Sequence, residues 1–318
     1  MFDKKNIAVQ ELDYTCKDGI RLHYLKTEDG KPPLVLIHGQ SMCRLDYARV
    51  LPELSNSFTV YALDCPGHGE SARNPENYSC RMIGDEICDF IRNVTGECFL
   101  SGHSSGAILA AYIAGHEKAL IKAVLLEDPP FFRLQMPEMA NTFVWKDSFE
   151  VNHGFINQTE EKDYIPYYIK HSYIYGMFGQ KIVDKLYKEA KEFIAENPDQ
   201  PVRLKSVPKS AMHGLDYIDS FDMLFAEAFY TGTWFDGVNP EQLLTEIDCP
   251  VIYLKAATRY GRDGVLWAAN TDEDAERVEK LIKNCRRIDI HCGHDIHHEK
   301  PLAFCRAVRE MLEARHSE

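Results

Sequence analysis

The sequence predicts an α/β fold, a mostly parallel sheet with helices on both faces and a helical segment inserted into the chain. Three observations predict it. Apolar runs of strand length alternate with longer helix-like segments over the first 130 residues, as in PLVLIH (33–38), FTVYALD (58–64), CFLSGH and KAVLLED. These runs are continuously apolar rather than alternating, as strands covered on both faces require. The rhythm stops near 131, and after about 245 it resumes with CPVIYLKAA and RRIDIHC.

In chain order, VQELDYTC and IRLHYLKT flank the turn residues KDG and read as a hairpin. PLVLIH runs straight into Gly39, RLDYARVLPEL reads as a helix, and FTVYALD ends in the turn-rich CPGHGES. In YSCRMIGDEICDFIRNV, residues Met82, Ile83, Ile87, Phe90, Ile91 and Val94 repeat at helical spacing. The strand CFLSGH, the small-residue helix SGAILAAYIAGH and the strand KAVLLED follow. Residues 131–245 are aromatic-rich and helical in tendency, with an amphipathic helix at 180–197 and Pro198 beyond its end. DEDAERVEKLIKN and PLAFCRAVREMLEARH then read as helices and RRIDIHC, with His291 within it, as a strand. The expected organisation is a core of 1–130 and 246–318 with a helical cap of 131–245.

Composition bounds the partners. The 318 residues are 45% apolar and 27% charged, ordinary for a globular protein. The formal charge of -13 argues against nucleic acid and anionic membrane surfaces. The longest apolar stretch, GAILAAYIAG, is too short to span a bilayer. MFDKKNIAVQ has no apolar h-region, and none of the ten cysteines forms a CxxC pair. Reduced thiols and a cytoplasmic location are therefore expected. A small-molecule substrate is the expected partner, with a homodimer left open.

The chemistry is announced by Gly102-His103-Ser104-Ser105-Gly106, a G-x-S-x-G between a predicted strand and a predicted helix. This spacing suits a sharp strand-to-helix turn that exposes the central hydroxyl, with the glycines keeping Cβ atoms out of a crowded bend. Ser105 offers a second hydroxyl, but only Ser104 has glycine at both −2 and +2.

With LVLIHG, LDCPGHGES, GHSSG and CGHDIHHEKP in this order, the chain resembles the α/β-hydrolase fold enzymes. The resemblance implies an eight-stranded, mostly parallel sheet with an inserted helical cap and no cofactor. It also implies an oxyanion hole built from the amides of Ser105 and Gln40, and a general base at His294. His291, Cys292, His294 and His298 could bind a metal by residue type, but their spacing fits no common zinc pattern. His291 should then lie in the last strand, and His297 and His298 should begin the last helix. The acid that orients the base has three candidates. Asp128, at the tip of KAVLLED, is favoured, with strand alternation turning it inward and Glu127 away. Asp263 lies a few residues later than the family's usual position, where Thr258, Arg259 and Tyr260 stand. Glu127 is the third candidate.

Trp145, Tyr167, Tyr168, Tyr173, Tyr175, Phe178, Phe229 and Trp234 could line an apolar cavity or form the cap's own core, while His153, His171 and His213 read as satisfied or surface residues. The expectation is a serine hydrolase acting on an ester or lactone of a mid-sized, neutral, fairly apolar molecule. Carbon–carbon or amide hydrolysis and a non-enzymatic receptor that keeps the triad are the alternatives. The epoxide and haloalkane hydrolases, which the chain also resembles, carry Asp where Ser104 stands, and the serine argues against them.

Overall fold

The computed structural model describes residues 7–314 except 199, 208–214, 216 and 219. Eight strands form one sheet: β1 (Val9–Thr15), β2 (Arg21–Thr27), β3 (Pro33–Ile37), β4 (Thr59–Leu63), β5 (Cys98–His103), β6 (Ile121–Glu127), β7 (Val251–Ala256) and β8 (Cys285–Ile290). Their order is β1-β2-β4-β3-β5-β6-β7-β8. β2 is antiparallel to β1 and β4, and every other neighbouring pair is parallel.

The apolar runs are buried on both faces, and successive residues feed opposite cores. Val35 and Ile37 join the core that contains helices Cys80–Phe90 and Ser105–His116. Leu34 and Leu36 join the core beneath helix Pro301–Ala314. Residues Leu34, Val35, Leu36 and Ile37 are all completely buried, each contributing about 1.5–3 kcal/mol of transfer free energy. This explains why β3 reads as an unbroken apolar run.

Register sets the positions of the chemical groups. His103 of β5 pairs with Glu127 of β6, and Glu127 pairs with Leu254 of β7. The next residue after each of the two paired strand ends is therefore Ser104 and Asp128, side by side at the carboxyl edge of the sheet.

Three local expectations need correction. RLDYARVLPEL is not one helix but a tight 3-10 turn, Arg44–Arg49, followed by the short helix Leu51–Leu54. Pro52 suits a helix start and cannot donate within a continuing one. His291 is not in the strand, which ends at Ile290, and it is exposed. His297 and His298 belong to a separate short helix, Ile296–Glu299, while the last helix starts at Pro301.

Between β6 and β7 the described chain is helical, with helices Glu150–Ile156, Tyr164–His171, Gln180–Glu196 and Met223–Tyr230 among its elements. Helix Pro240–Thr245 packs on the core helices Ser105–His116 and Asp272–Leu281. No helix among the described residues is long and apolar enough to cross a membrane, and all ten cysteines are free.

Candidate active site

Ser104 sits at the turn from β5 into helix Ser105–His116 with φ 55 and ψ -121. That backbone conformation is strained in a non-glycine residue, by about 1–3 kcal/mol, and tertiary contacts hold it. The Ser104 amide donates to the Glu127 carbonyl at 2.9 Å. A Cβ on Gly102 would lie 2.1 Å from the Gly106 carbonyl, and one on Gly106 would lie 2.3 Å from the His38 carbonyl. Both glycines of the motif are therefore dictated by close backbone approach.

His294 follows β8, and its Nδ1 lies 2.7 Å from Oδ2 of Asp128. The other carboxylate oxygen of Asp128 accepts from the Asn270 amide at 3.1 Å and from the Ala256 backbone N–H at 3.3 Å. Burial alone pushes the Asp128 pKa up. The hydrogen bond and charge of His294, with the Asn270 and Ala256 donors, outweigh it and leave the carboxyl below its usual value. For His294, burial favours the neutral ring, but Asp128 outweighs it and the pKa is raised. The strand ends at Glu127, and Asp128 has φ 46. Its inward aim thus comes from a left-handed turn before Pro129, not from strand alternation.

The other acid candidates are elsewhere. Asp263 bonds the Tyr173 hydroxyl at 2.6 Å on an exposed loop. Glu127 points away and bonds His297. No hydrogen bond joins the Ser104 hydroxyl to His294 among the described residues, and catalytic hydrogen bonds are often long in unliganded sites.

Ser104, Ser105, Gln40 and His294 line one cavity of about 760 Å³ between the sheet edge and the helical segment above it. Among the described residues, neither the Gln40 nor the Ser105 backbone N–H donates an internal hydrogen bond. The Gln40 amide is oriented from behind. Nε2 of His38 accepts from the Cys65 N–H at 2.9 Å, so the ring proton is on Nδ1, which donates to the Gly39 carbonyl at 2.7 Å. That carbonyl shares its peptide plane with the Gln40 N–H. Burial lowers the pKa of His38 and keeps the ring neutral for this role. His68 works similarly, its Nε2 accepting from the Ser41 N–H at 3.2 Å. The resemblance pointed to the Gln40 amide after His38-Gly39 but not to the His38 ring behind it, and the sequence gave no signal for Asn270.

Tyr168, Tyr175, Phe178 and Phe229 line the cavity. Trp145 instead stacks on Tyr230, Trp234 on Phe229, Tyr167 on His171, and Tyr173 packs against Phe143 and Trp267. His153 is held by Glu227. His213 lies outside the described residues. The four metal candidates do not converge, since His291 is exposed and His294 is bonded to Asp128. Among the described residues, Asp46, His103 and His297 are the group whose ligand-type atoms lie within 4.8 Å of one another.

A model of the alpha/beta hydrolase family matches residues 34–307. The chain belongs to this family. The soluble epoxide hydrolase of Corynebacterium sp. (strain C12) is 24% identical over 288 residues, 89% of this chain and 91% of that protein. Epoxide hydrolase 4 of Mus musculus is 30% identical over 116 residues, 35% of this chain and 32% of that protein. Among solved structures, a hydrolase from Pseudomonas aeruginosa PA01 superposes with a TM-score of 0.67 at 16% identity, covering 98% of this chain and 99% of the other. A thermophilic esterase from Thermogutta terrifontis gives 0.63 at 20% identity, covering 97% and 100%. At these identities the structural likenesses establish the fold of this alpha/beta hydrolase.

Proposed function

We propose that this alpha/beta hydrolase is a serine hydrolase cleaving a carboxylic ester or lactone through an acyl-enzyme. The observation that carries the reading is the strained Ser104 facing the same cavity as a histidine bonded at 2.7 Å to a buried carboxylate. Ser104 Oγ attacks the carbonyl carbon while its proton passes to Nε2 of His294. Asp128 holds the Nδ1–H tautomer and stabilises the imidazolium. The oxyanion accepts hydrogen bonds from the amides of Gln40 and Ser105. Collapse breaks the carbon–oxygen bond, and His294 returns its proton to the departing alkoxide. Water, deprotonated by the same ring, then attacks the acyl-serine and frees the acid and Ser104.

The relatives named as epoxide hydrolases raise a second reading, epoxide opening. The residue at the elbow weighs against it. A carboxylate that opens an epoxide forms an ester, which water cleaves through an acyl transition state. A serine would form an ether, for which this site offers no hydrolytic route.

The cavity favours a neutral, apolar substrate. Its walls include Phe143, Phe149, Phe229, Leu186 and Ile182. Arg133 is the only Lys or Arg among the described lining residues, and Asp274 engages it through Nε at 2.6 Å and Nη2 at 3.1 Å. Asp147 and Asp295 also line the space. A substrate carboxylate would meet two acids and a guanidinium already neutralised.

The test is labelling by a fluorophosphonate probe with peptide mapping, alongside turnover of nitrophenyl esters. Modification at Ser104 and loss of turnover in Ser104→Ala are expected. Labelling at another residue, or equal turnover by the alanine variant, would end the reading.

A further inference from the structure

Behind the cavity lies a buried ionic trio that the hydrolytic steps do not use. Glu127, Asp46 and His297 are 0%, 2% and 0% exposed. The His297 backbone N–H donates to Glu127 Oε1 at 2.7 Å, and its ring Nδ1 lies 2.9 and 3.0 Å from the two oxygens of the same carboxylate. On the far side of the ring, Nε2 is 3.0 Å from Asp46 Oδ2. Such a trio is an expensive way to fill a core, because each charge must be stripped of water. Apolar residues of similar volume commonly pack such a place at no loss of stability.

What the trio adds is a geometric link. Through its backbone carbonyl, Glu127 accepts the Ser104 N–H at 2.9 Å and so fixes the nucleophile's turn. Through its carboxylate it grips a residue three positions beyond His294. Its chain neighbour, Asp128, grips His294 itself. Asp46 reaches the opposite edge of the His297 ring, at Nε2, from the 3-10 turn Arg44–Arg49, which follows the Gln40 loop. Between the two histidines sits His103, its ring centroid 4.6 Å from that of His294 and 5.1 Å from that of His297. Burial drives the His103 pKa down to about 3, so this intervening ring stays neutral.

We propose that Glu127, His297 and Asp46 are positioning residues that hold the His294 loop in register with Ser104. The trio touches no substrate, and its effect passes through the placement and electrostatic setting of His294. This rests on His294 being the base. The charged and titratable groups around His294 are Asp128, Asp295 and His103, with Glu127 acting on it through its charge from behind. Of these acids Glu127 is the one tied to the trio, and its negative charge favours the protonated ring.

The experiment compares wild type with Glu127→Gln and Asp46→Asn, reading kcat and KM on a short-chain nitrophenyl ester, the pH profile of kcat/KM, thermal melting and metal content. Glu127→Gln keeps the shape and one acceptor. It is expected to lower kcat by about ten- to a hundredfold, the scale of a small misplacement of a catalytic group, with KM within about twofold. Removing a negative charge disfavours the His294 cation, so the acid limb of the profile should move to lower pH. Asp46→Asn, at the far end of the trio, should give a smaller kcat loss with the same KM pattern, and it decides the matter if Glu127→Gln does not fold. Variants that melt earlier but retain the wild-type kcat and acid limb would overturn the proposal and leave the trio a packing feature. Stoichiometric zinc in the wild type that disappears in Asp46→Asn would also overturn it, showing that Asp46, His103 and His297 hold a cation. A wild type that turns over no ester and takes no label at Ser104 would instead overturn the function on which the inference rests.

Discussion

Asp128 and His294 stand 166 residues apart in the chain and 2.7 Å apart in the fold. The bond requires a left-handed turn at Asp128 and two further donors, Asn270 and Ala256, to steady the second carboxylate oxygen. Asp128→Asn would place an amide against Nδ1 and favour the wrong ring tautomer. The expected loss in kcat is on the order of 10⁴. Asp263→Asn should stay within about twofold, since Asp263 is exposed and bonded to Tyr173. Steady-state kinetics on one nitrophenyl ester compares both variants, and a larger loss at Asp263 would refute the assignment of the acid.

The pH profile follows from the same pair. In the proposed mechanism His294 has to be neutral to accept the serine proton, and Asp128 raises its pKa above the ordinary imidazole value of about 6.5. Activity should therefore rise with pH through an apparent pKa above that value. Measuring kcat/KM from about pH 5 to 9 checks it, and a limb centred well below 6.5 would contradict the raised pKa.

The fold and the strand-to-helix turn that carries Ser104 were legible because they rest on local or repetitive signals. A strand buried on both faces has to be apolar throughout, and the crowding at Gly102 and Gly106 tolerates no side chain. The histidine loop was legible from its resemblance to a known family, not from periodicity. What did not show was set by tertiary contacts. Nothing in the residues around Asn270 announces a bond to Asp128, because the two meet only when β6 and β7 pair. The inward turn of Asp128 was expected for the wrong reason, since alternation ends where the strand does. His297 read as the start of the last helix, and its complete burial follows from Glu127 and Asp46 arriving from two distant segments. The aromatics between β6 and β7 divided between the cavity wall and ring-on-ring packing according to partners that spacing alone does not reveal.

Arg133 offers a test of charge selection. Asp274, which neutralises it, also closes the capping box at Thr271 that starts helix Asp272–Leu281. Asp274→Asn keeps the shape of that cap while releasing the guanidinium. The kcat/KM for a nitrophenyl ester with a carboxylate at the end of its acyl chain should rise on the order of tenfold relative to a neutral ester of equal length, a change of about 1.4 kcal/mol. The preference should weaken at high salt. An unchanged ratio between the two esters would show that the Arg133–Asp274 pair does not govern selection.

Glu86 supplies a prediction about stability that is independent of the chemistry. It is 3% exposed in helix Cys80–Phe90, with Asn77 donating to Oε1 at 2.9 Å. Among the described residues, Oε2 has no hydrogen-bond partner. Burial raises its pKa to about 7, partly offset by the Asn77 bond. The folded state thus holds this proton more tightly than the unfolded chain does. Stability should fall as pH rises from about 4.5 through 7 and level off above, where the buried charge is fully formed. Glu86→Gln keeps the Asn77 contact and carries no charge at any pH. It should match wild type near pH 5 and be more stable at pH 8, by up to about 3 kcal/mol for a shift of this size. Denaturant unfolding of both proteins at the two pH values measures the difference. A gain of equal size at pH 5 and pH 8 would mean that the proton on Glu86 is not what the substitution relieves.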